Sequence, residues 1–145
     1  MTIFTIGFTR KSAETFFGTL QEAGVRRLID IRLNNSSQLA GFAKKDDLAY
    51  ITKAICGIEY LHLLDLTPTA KVLDPYRNDK KHGWATFEKQ FLHLLKSRRV
   101  EETVPKRTLD GGCLLCSEET ADHCHRRLVA EYFQEQWGPV RIRHL

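Results

Sequence analysis

This sequence predicts an α/β fold: one three-layer domain with a mostly parallel sheet of roughly five strands and helices on both faces. Two observations predict it. Short β-rich apolar runs alternate with amphipathic stretches five times along the chain. Each connection also holds enough residues for a crossover, which parallel neighbours require. The chain has 145 residues, which suits one domain spanning 1–145, since domains commonly hold roughly 100–200 residues. In such sheets ligands sit beyond the carboxyl ends of the strands, so candidate residues should lie just after strands.

The first strand is the apolar run at residues 2–6 (TIFTI), stopped by Gly7. Ser12 then offers a helix N-cap with Glu14 in the first turn. Phe16, Phe17, Leu20 and Ala23 recur at helical spacing, and Gly24 supplies the stop. Residues 26–32 (RRLIDIR) read as a second strand, and the polar run from 34 to 41 as a loop. Leu48, Ile51 and Ile55 mark a second helix closed by Gly57, and residues 58–63 (IEYLHL) a third strand. Residues 65–83 carry two prolines and many charges without a clean period, so they read as an irregular loop placed to act as a lid. A third helix spans 84–97, with Trp84, Phe87 and Phe91 on its inner face, and 98–110 is a charged connector. CLLC at 113–116 is the fourth strand. A helix follows from about Asp122 to Gln136, with Leu128, Val129, Tyr132 and Phe133 inward, and residues 140–144 (VRIRH) alternate as a last strand.

Composition narrows the classes. Apolar residues make up 42% and charged residues 28%, which excludes a disordered chain. A net charge of +4 permits a nucleotide or nucleic-acid partner without demanding one. No apolar run approaches the roughly 18 residues of a membrane span, so no membrane partner is expected. The opening MTIFTIGFTRKS lacks the basic lead and long apolar stretch of a secretory signal, and a cytoplasmic location is expected. In that compartment the four cysteines read as thiols, metal ligands or reactive groups rather than disulfides.

The densest chemistry is Cys116-Ser117-Glu118 followed by Cys124-His125-Arg126. Cys116 ends the fourth strand, and Cys124 falls in the first turn of the next helix. The strand-to-helix turn brings both to one crevice. Helix N-termini expose N–H groups and positive partial charge, which lowers the pKa of a thiol there, and His125 and Arg126 add to this. Glu118 is placed as a base, or to orient Arg126. Cys113, at the strand start, reads as core.

A zinc site built on Cys113-x-x-Cys116 with Cys124 and His125 competes, yet strand alternation turns Cys113 and Cys116 to opposite faces. No cofactor is therefore expected, and zinc stands as a minor alternative.

Asp30 and Arg32 share a face at the end of the second strand, poised to pair with each other or with Glu118 and Arg126. Ser36, in the run 34–37 (NNSS), offers a polar contact, and Gly7 permits close approach of a ligand. Tyr60 and His62 share one face of the third strand, which turns them toward the crevice and makes Tyr60 a candidate ligand contact, against the commoner reading of a solvated or core-satisfied pair. The absence of G-x-G-x-x-G after the first strand excludes a dinucleotide fingerprint. Basic residues around 96–107 form a solvated surface or, with Lys44, Lys45, Lys80 and Lys81, a nucleic-acid patch.

TIGFT, LIDIR with its following NNSS, IEYLHL, the segment LLCSEETADHCHRRLVAEYF and the closing VRIRHL together resemble one family, Domain of Unknown Function 488. The resemblance covers nearly the whole chain, and LLCxE…CHR is its specific part. It implies a small α/β fold and carries Gly7, Asp30, Arg32, Tyr60, Cys116, Glu118, Cys124, His125 and Arg126 as family positions. It departs at 34–37, where the family has a proline and then a serine. It adds no activity.

These readings lead to an enzyme with a thiol-bearing crevice acting on a small anionic or nucleotide-like ligand. Cys116 or Cys124 would be its nucleophile or redox thiol, Glu118 and His125 its acid and base, and Arg32 and Arg126 its anion clamps. The alternatives are a non-catalytic nucleotide or nucleic-acid binding module with structural cysteines, and a zinc-stabilised interaction domain. Oligomeric state is not legible in the sequence.

Overall fold

Five strands form one sheet: β1 (Thr2–Gly7), β2 (Arg27–Asp30), β3 (Glu59–His62), β4 (Gly112–Cys116) and β5 (Arg141–His144). Their spatial order is β3-β2-β4-β1-β5, and each of the four pairings is parallel. The computed structural model describes every residue except Glu119, and Gln38 in its backbone alone. β4 is the last of the central strands in sequence, yet it lies between β1 and β2. The carboxyl ends of three strands therefore converge: Gly7 is in register with Cys116, and Ile31 N–H bonds the Leu115 carbonyl just past the end of β2.

The period-2 alternation of the strands sorts their side chains into two cores. Ile3, Ile29, Ile31 and Leu114 pack against the long helix α4 (Lys80–Arg98) and against α7 (His125–Trp137). Phe4, Ile6, Leu28, Cys113 and Leu115 pack on the other face against α1 (Ala13–Ala23) and Leu48 of α2 (Lys45–Ile51). This is the three-layer arrangement expected. It also decides the cysteines, because Cys116 follows Leu114 by two residues and so faces α4 and α7, while Cys113 faces away.

α1 begins and ends where its sequence dictates. The Ser12 side chain accepts from Thr15 N–H, and Gly24 closes the helix at φ 72°, a left-handed conformation that glycine adopts without a Cβ clash. Elsewhere the boundaries move. The second helix is split, its last turn (Thr52–Cys56) widening to π geometry before Gly57. The loop at 34–41 runs into a 3-10 turn at Gln38–Ala43. The connector 98–110 contains two one-turn helices, α5 (Val100–Thr103) and α6 (Lys106–Leu109).

The largest correction concerns residues 65–83, which are helical. After a 3-10 turn at Leu64–Leu66 comes α3 (Ala70–Asn78), and α4 starts at Lys80 rather than at 84. Thr69 caps α3 by accepting from Val72 N–H, and Val72, Leu73 and Tyr76 lay an apolar stripe on the core beside α4. Tertiary packing of that stripe outweighs the hydrogen bond that Pro75 removes inside the helix. The last helix starts at His125, three residues later than Asp122, so Cys124 is its N-cap residue and not part of its first turn. Among the described residues, no helix is long and apolar enough to cross a membrane.

Candidate active site

A cavity of about 340 Å³ opens at the carboxyl ends of β4 and β2. Its floor is Cys116, Ser117, Cys124 and His125, one side is Thr9, Arg32 and Asn34, and the opposite wall comes from α3 and α4. The size suits a small molecule, since ligand pockets run from about 300 to 1,000 Å³.

Cys116 is buried at the floor, with its Sγ 3.3 Å from His125 Nδ1. The other ring nitrogen, His125 Nε2, lies 2.7 Å from the Ile31 carbonyl oxygen. A carbonyl oxygen only accepts, so Nε2 carries the proton, and in the neutral ring Nδ1 is the acceptor facing the thiol. Phe91 meets the same ring edge-on at 5.5 Å, fixing its plane.

The backbone completes the setting of Cys116. Thr9 donates to the Ser117 carbonyl oxygen through both its N–H and its hydroxyl. In a trans peptide the N–H points opposite to the C=O, so anchoring that carbonyl aims the Glu118 N–H inward. The Glu118 carbonyl is held in turn by Arg126 Nη1. Burial alone would push the Cys116 thiol up. The Cys124 side chain, the Glu118 N–H, the Arg126 charge and the Ser117 N–H outweigh it and hold Cys116 below the ordinary thiol value. Cys124 moves the opposite way: burial, then its bond to Cys116 and the Cys116 charge, raise it well above the ordinary value. The Arg126 guanidinium reaches Cys124 Sγ at 3.7 Å.

Asp30 and Arg32 pair with each other. Arg32 Nε and Nη2 each lie 2.8 Å from the Asp30 carboxylate, and the Arg32 N–H, the Tyr60 hydroxyl and Asn35 Nδ2 bond it too. Burial raises the Asp30 carboxyl, but these donors, Arg32 first, bring it below its usual range. Burial likewise leads the rise of the Tyr60 hydroxyl, which is bonded to Asp30. Asp30 is therefore saturated, and its effect is to hold Arg32 over the Phe8 ring, 5.3 Å from the centroid, at the cavity side.

The remaining predicted residues divide. His125, Cys116 and Cys124 meet at the floor, with Arg32 beside them. Arg126 is buried behind the floor and acts on the Glu118 carbonyl, not on the Glu118 carboxylate. That carboxylate sits at the rim, 3.1 Å from Lys80 Nζ. Ser36 is exposed and lies outside the cavity. Gly7 approaches the chain itself: a Cβ there would fall 1.6 Å from the Glu118 carbonyl oxygen and 2.6 Å from Arg126 Nη1.

The wall lies largely in the segment 65–83 that was expected to cover the crevice, but as packed helices rather than an irregular lid loop, and none of its side chains was singled out as a site residue. Leu73, Tyr76, Arg77, Lys80, Trp84 and Phe87 line it, and Trp84 stacks on His123 at 4.8 Å. The Thr69 cap followed by Val72, Leu73 and Tyr76 was the signal that could have revealed it.

One ligand atom from each of Cys116, Cys124 and His125 lies within 4.8 Å of the other two, all three residues being buried. Cys113 belongs to the opposite core, where burial pushes its thiol up. A family model described as Domain of unknown function DUF488 matches residues 12–133 of the chain. No curated protein and no solved structure matches it.

Proposed function

The chain belongs to the DUF488 family, and from the site it assembles we propose that it is a cysteine-dependent enzyme acting on a small anionic substrate, with Cys116 as nucleophile and His125 as its base. The observation that carries this reading is the Cys116–His125 contact, with the ring's other nitrogen bonded to the Ile31 carbonyl. Of the two floor cysteines, Cys116 suits the nucleophile because its thiol is lowered while that of Cys124 is raised. Cys124 serves as a donor to the Cys116 thiolate.

Arg32, Arg77 and Lys80 give the cavity its cationic lining, and Glu118 at the rim is paired with Lys80. They hold the anionic part of the substrate near the floor. Cys116 passes its proton to His125 Nδ1, and Sγ bonds to the electrophilic atom. The bond from that atom to its leaving group breaks, and the leaving group takes the proton from His125. Water then attacks the adduct, the bond to sulfur breaks, and the water proton returns through His125 to Sγ.

Paired alkylation tests the reading, with iodoacetate and iodoacetamide offering the same electrophile with and without a carboxylate. Cys116 is expected to react faster with iodoacetate, in a saturable manner, and Arg77→Gln with Lys80→Gln is expected to remove that preference. A Cys116 that reacts no faster with the anion, or no faster than the half-buried Cys56, contradicts the proposal. The cavity is then a binding site without covalent chemistry.

A further inference from the structure

We propose that Cys116, Cys124 and His125 form a binding site for a thiophilic divalent cation such as zinc, with its fourth position open to the cavity. The inference goes beyond the covalent reading and does not depend on it, because the same lone pairs serve either purpose. It differs from the zinc site considered from the sequence, since Cys113 takes no part.

Three observations carry it. The donor set is two thiols and an imidazole, a combination that zinc accepts in sites that keep one position for water or substrate. The spacing is close to that of a bound ion. Bond lengths of about 2.3 Å to sulfur and 2.0 Å to nitrogen put the S···N edge of a tetrahedron at about 3.5 Å, and Cys116 Sγ lies 3.3 Å from His125 Nδ1. The three ligand atoms are already within 4.8 Å of one another, so a metal needs only small side-chain adjustments. Finally, the outer partners are those of a metal ligand. His125 gives its Nε2 proton to the Ile31 carbonyl at 2.7 Å, which fixes the tautomer with the Nδ1 lone pair aimed at the thiols. Arg126 Nη1 reaches Cys124 Sγ at 3.7 Å, an outer contact that orients this ligand.

Two thiolates and a neutral imidazole balance a doubly charged ion, and binding releases the two thiol protons. The three donor residues line the cavity together with Arg32 and the wall from α3 and α4, so a further ligand to the ion would enter from there. A ligand carrying an anionic oxygen or sulfur fits both. Metal and electrophile compete for Cys116 Sγ, so zinc is expected to inhibit alkylation there.

Cobalt(II) titration of the reduced, chelator-treated full chain tests the site. The expected result is saturation at one cobalt per chain, with a sulfur-to-cobalt charge-transfer band and the intense visible bands of a tetrahedral ion. Zinc should displace the cobalt and protect Cys116 from iodoacetamide, with a chelator reversing the protection. Cys124→Ser is expected to weaken binding by at least about tenfold and reduce the charge-transfer intensity, while Cys56→Ser leaves both unchanged. Because Cys124→Ser sits in the core, the zinc protection of the unaltered protein provides a second measure. Absence of the charge-transfer band, or its persistence in a Cys116→Ser/Cys124→Ser double variant, overturns the metal site. The two proposals fail separately. If cobalt does not bind yet Cys116 still prefers iodoacetate, only the metal site falls. If cobalt binds while Cys116 in the chelated protein reacts as an ordinary thiol, only the covalent reading falls.

Discussion

His125 Nε2 and the Ile31 carbonyl oxygen lie 2.7 Å apart, and this contact sets the state of the ring nitrogen that faces Cys116. Ile31 follows β2 and His125 opens α7, so the bond joins two elements that only the parallel order of the sheet brings together. Replacing His125 with Gln removes the proton acceptor while keeping a polar side chain. Alkylation of Cys116 at neutral pH is expected to slow by at least about tenfold, the scale of a hydrogen bond to a charged group worth about 1.5 kcal/mol. Site-resolved mass spectrometry reads the rate, and an unchanged rate would mean that the contact carries no chemistry.

Thr9 acts on the same thiol at one remove, by anchoring the Ser117 carbonyl. Thr9→Val keeps the shape of an exposed residue and loses the hydroxyl bond. Stability should hold, while Cys116 alkylation falls about three- to tenfold and its pH profile moves up, as expected for a bond of about 1 kcal/mol. A profile that stays in place would show that the Thr9 hydroxyl does not act on the thiol through the Ser117 carbonyl.

Two glycine substitutions should differ in sign. Gly7→Ala drives a Cβ into the Glu118 carbonyl and the Arg126 guanidinium, and is expected to cost about 1–3 kcal/mol by overpacking. Gly18→Ala lies inside α1 with open space around it, and is expected to stabilise the protein by about 0.5–1 kcal/mol. Urea denaturation measures both, and equal effects would contradict the close approach at Gly7.

The buried Asp30–Arg32 pair predicts a pH dependence of stability. The folded Asp30 carboxyl lies below its usual value, so the pair's contribution is present above the unfolded carboxylate pKa of about 3.9 and fades as pH falls through the folded value. Asp30→Asn leaves Arg32 uncompensated and is expected to cost about 3–5 kcal/mol at pH 7, the gap narrowing in acid. A gap that widens in acid would reverse the sign and refute the assignment.

Much of this arrangement was legible in the residues. The five strands announce themselves because their apolar runs end at glycines, charged residues or a proline-bearing loop, and the rule that sites follow strands led directly to Cys116, Cys124, His125 and Arg32. The pairing of Asp30 with Arg32 followed from strand alternation. α3 was hidden because Pro68, Pro75 and its charges mimic a loop, while its stability comes from packing Leu73 and Tyr76 beside α4. Missing α3 turned a packed cavity wall into an expected lid loop and hid which side chains line it. The Ile31 and Ser117 carbonyls were beyond reach for another reason: every residue has a carbonyl, and only the folded chain shows which one a side chain meets. Glu118 was misdirected likewise, its position marked by the motif while its backbone, rather than its carboxylate, meets Arg126.

Whether Cys116 is an activated thiol is read from the pH dependence of iodoacetamide alkylation of the native, chelator-treated protein, with each cysteine followed separately by mass spectrometry. Cys116 is expected to react with an apparent pKa below the free-thiol value of about 8.5, while Cys124 and Cys113 react slowly across the range. If Cys116 titrates at or above that value, or reacts as slowly as Cys113, the floor of the cavity holds packed thiols and the proposed nucleophile is wrong.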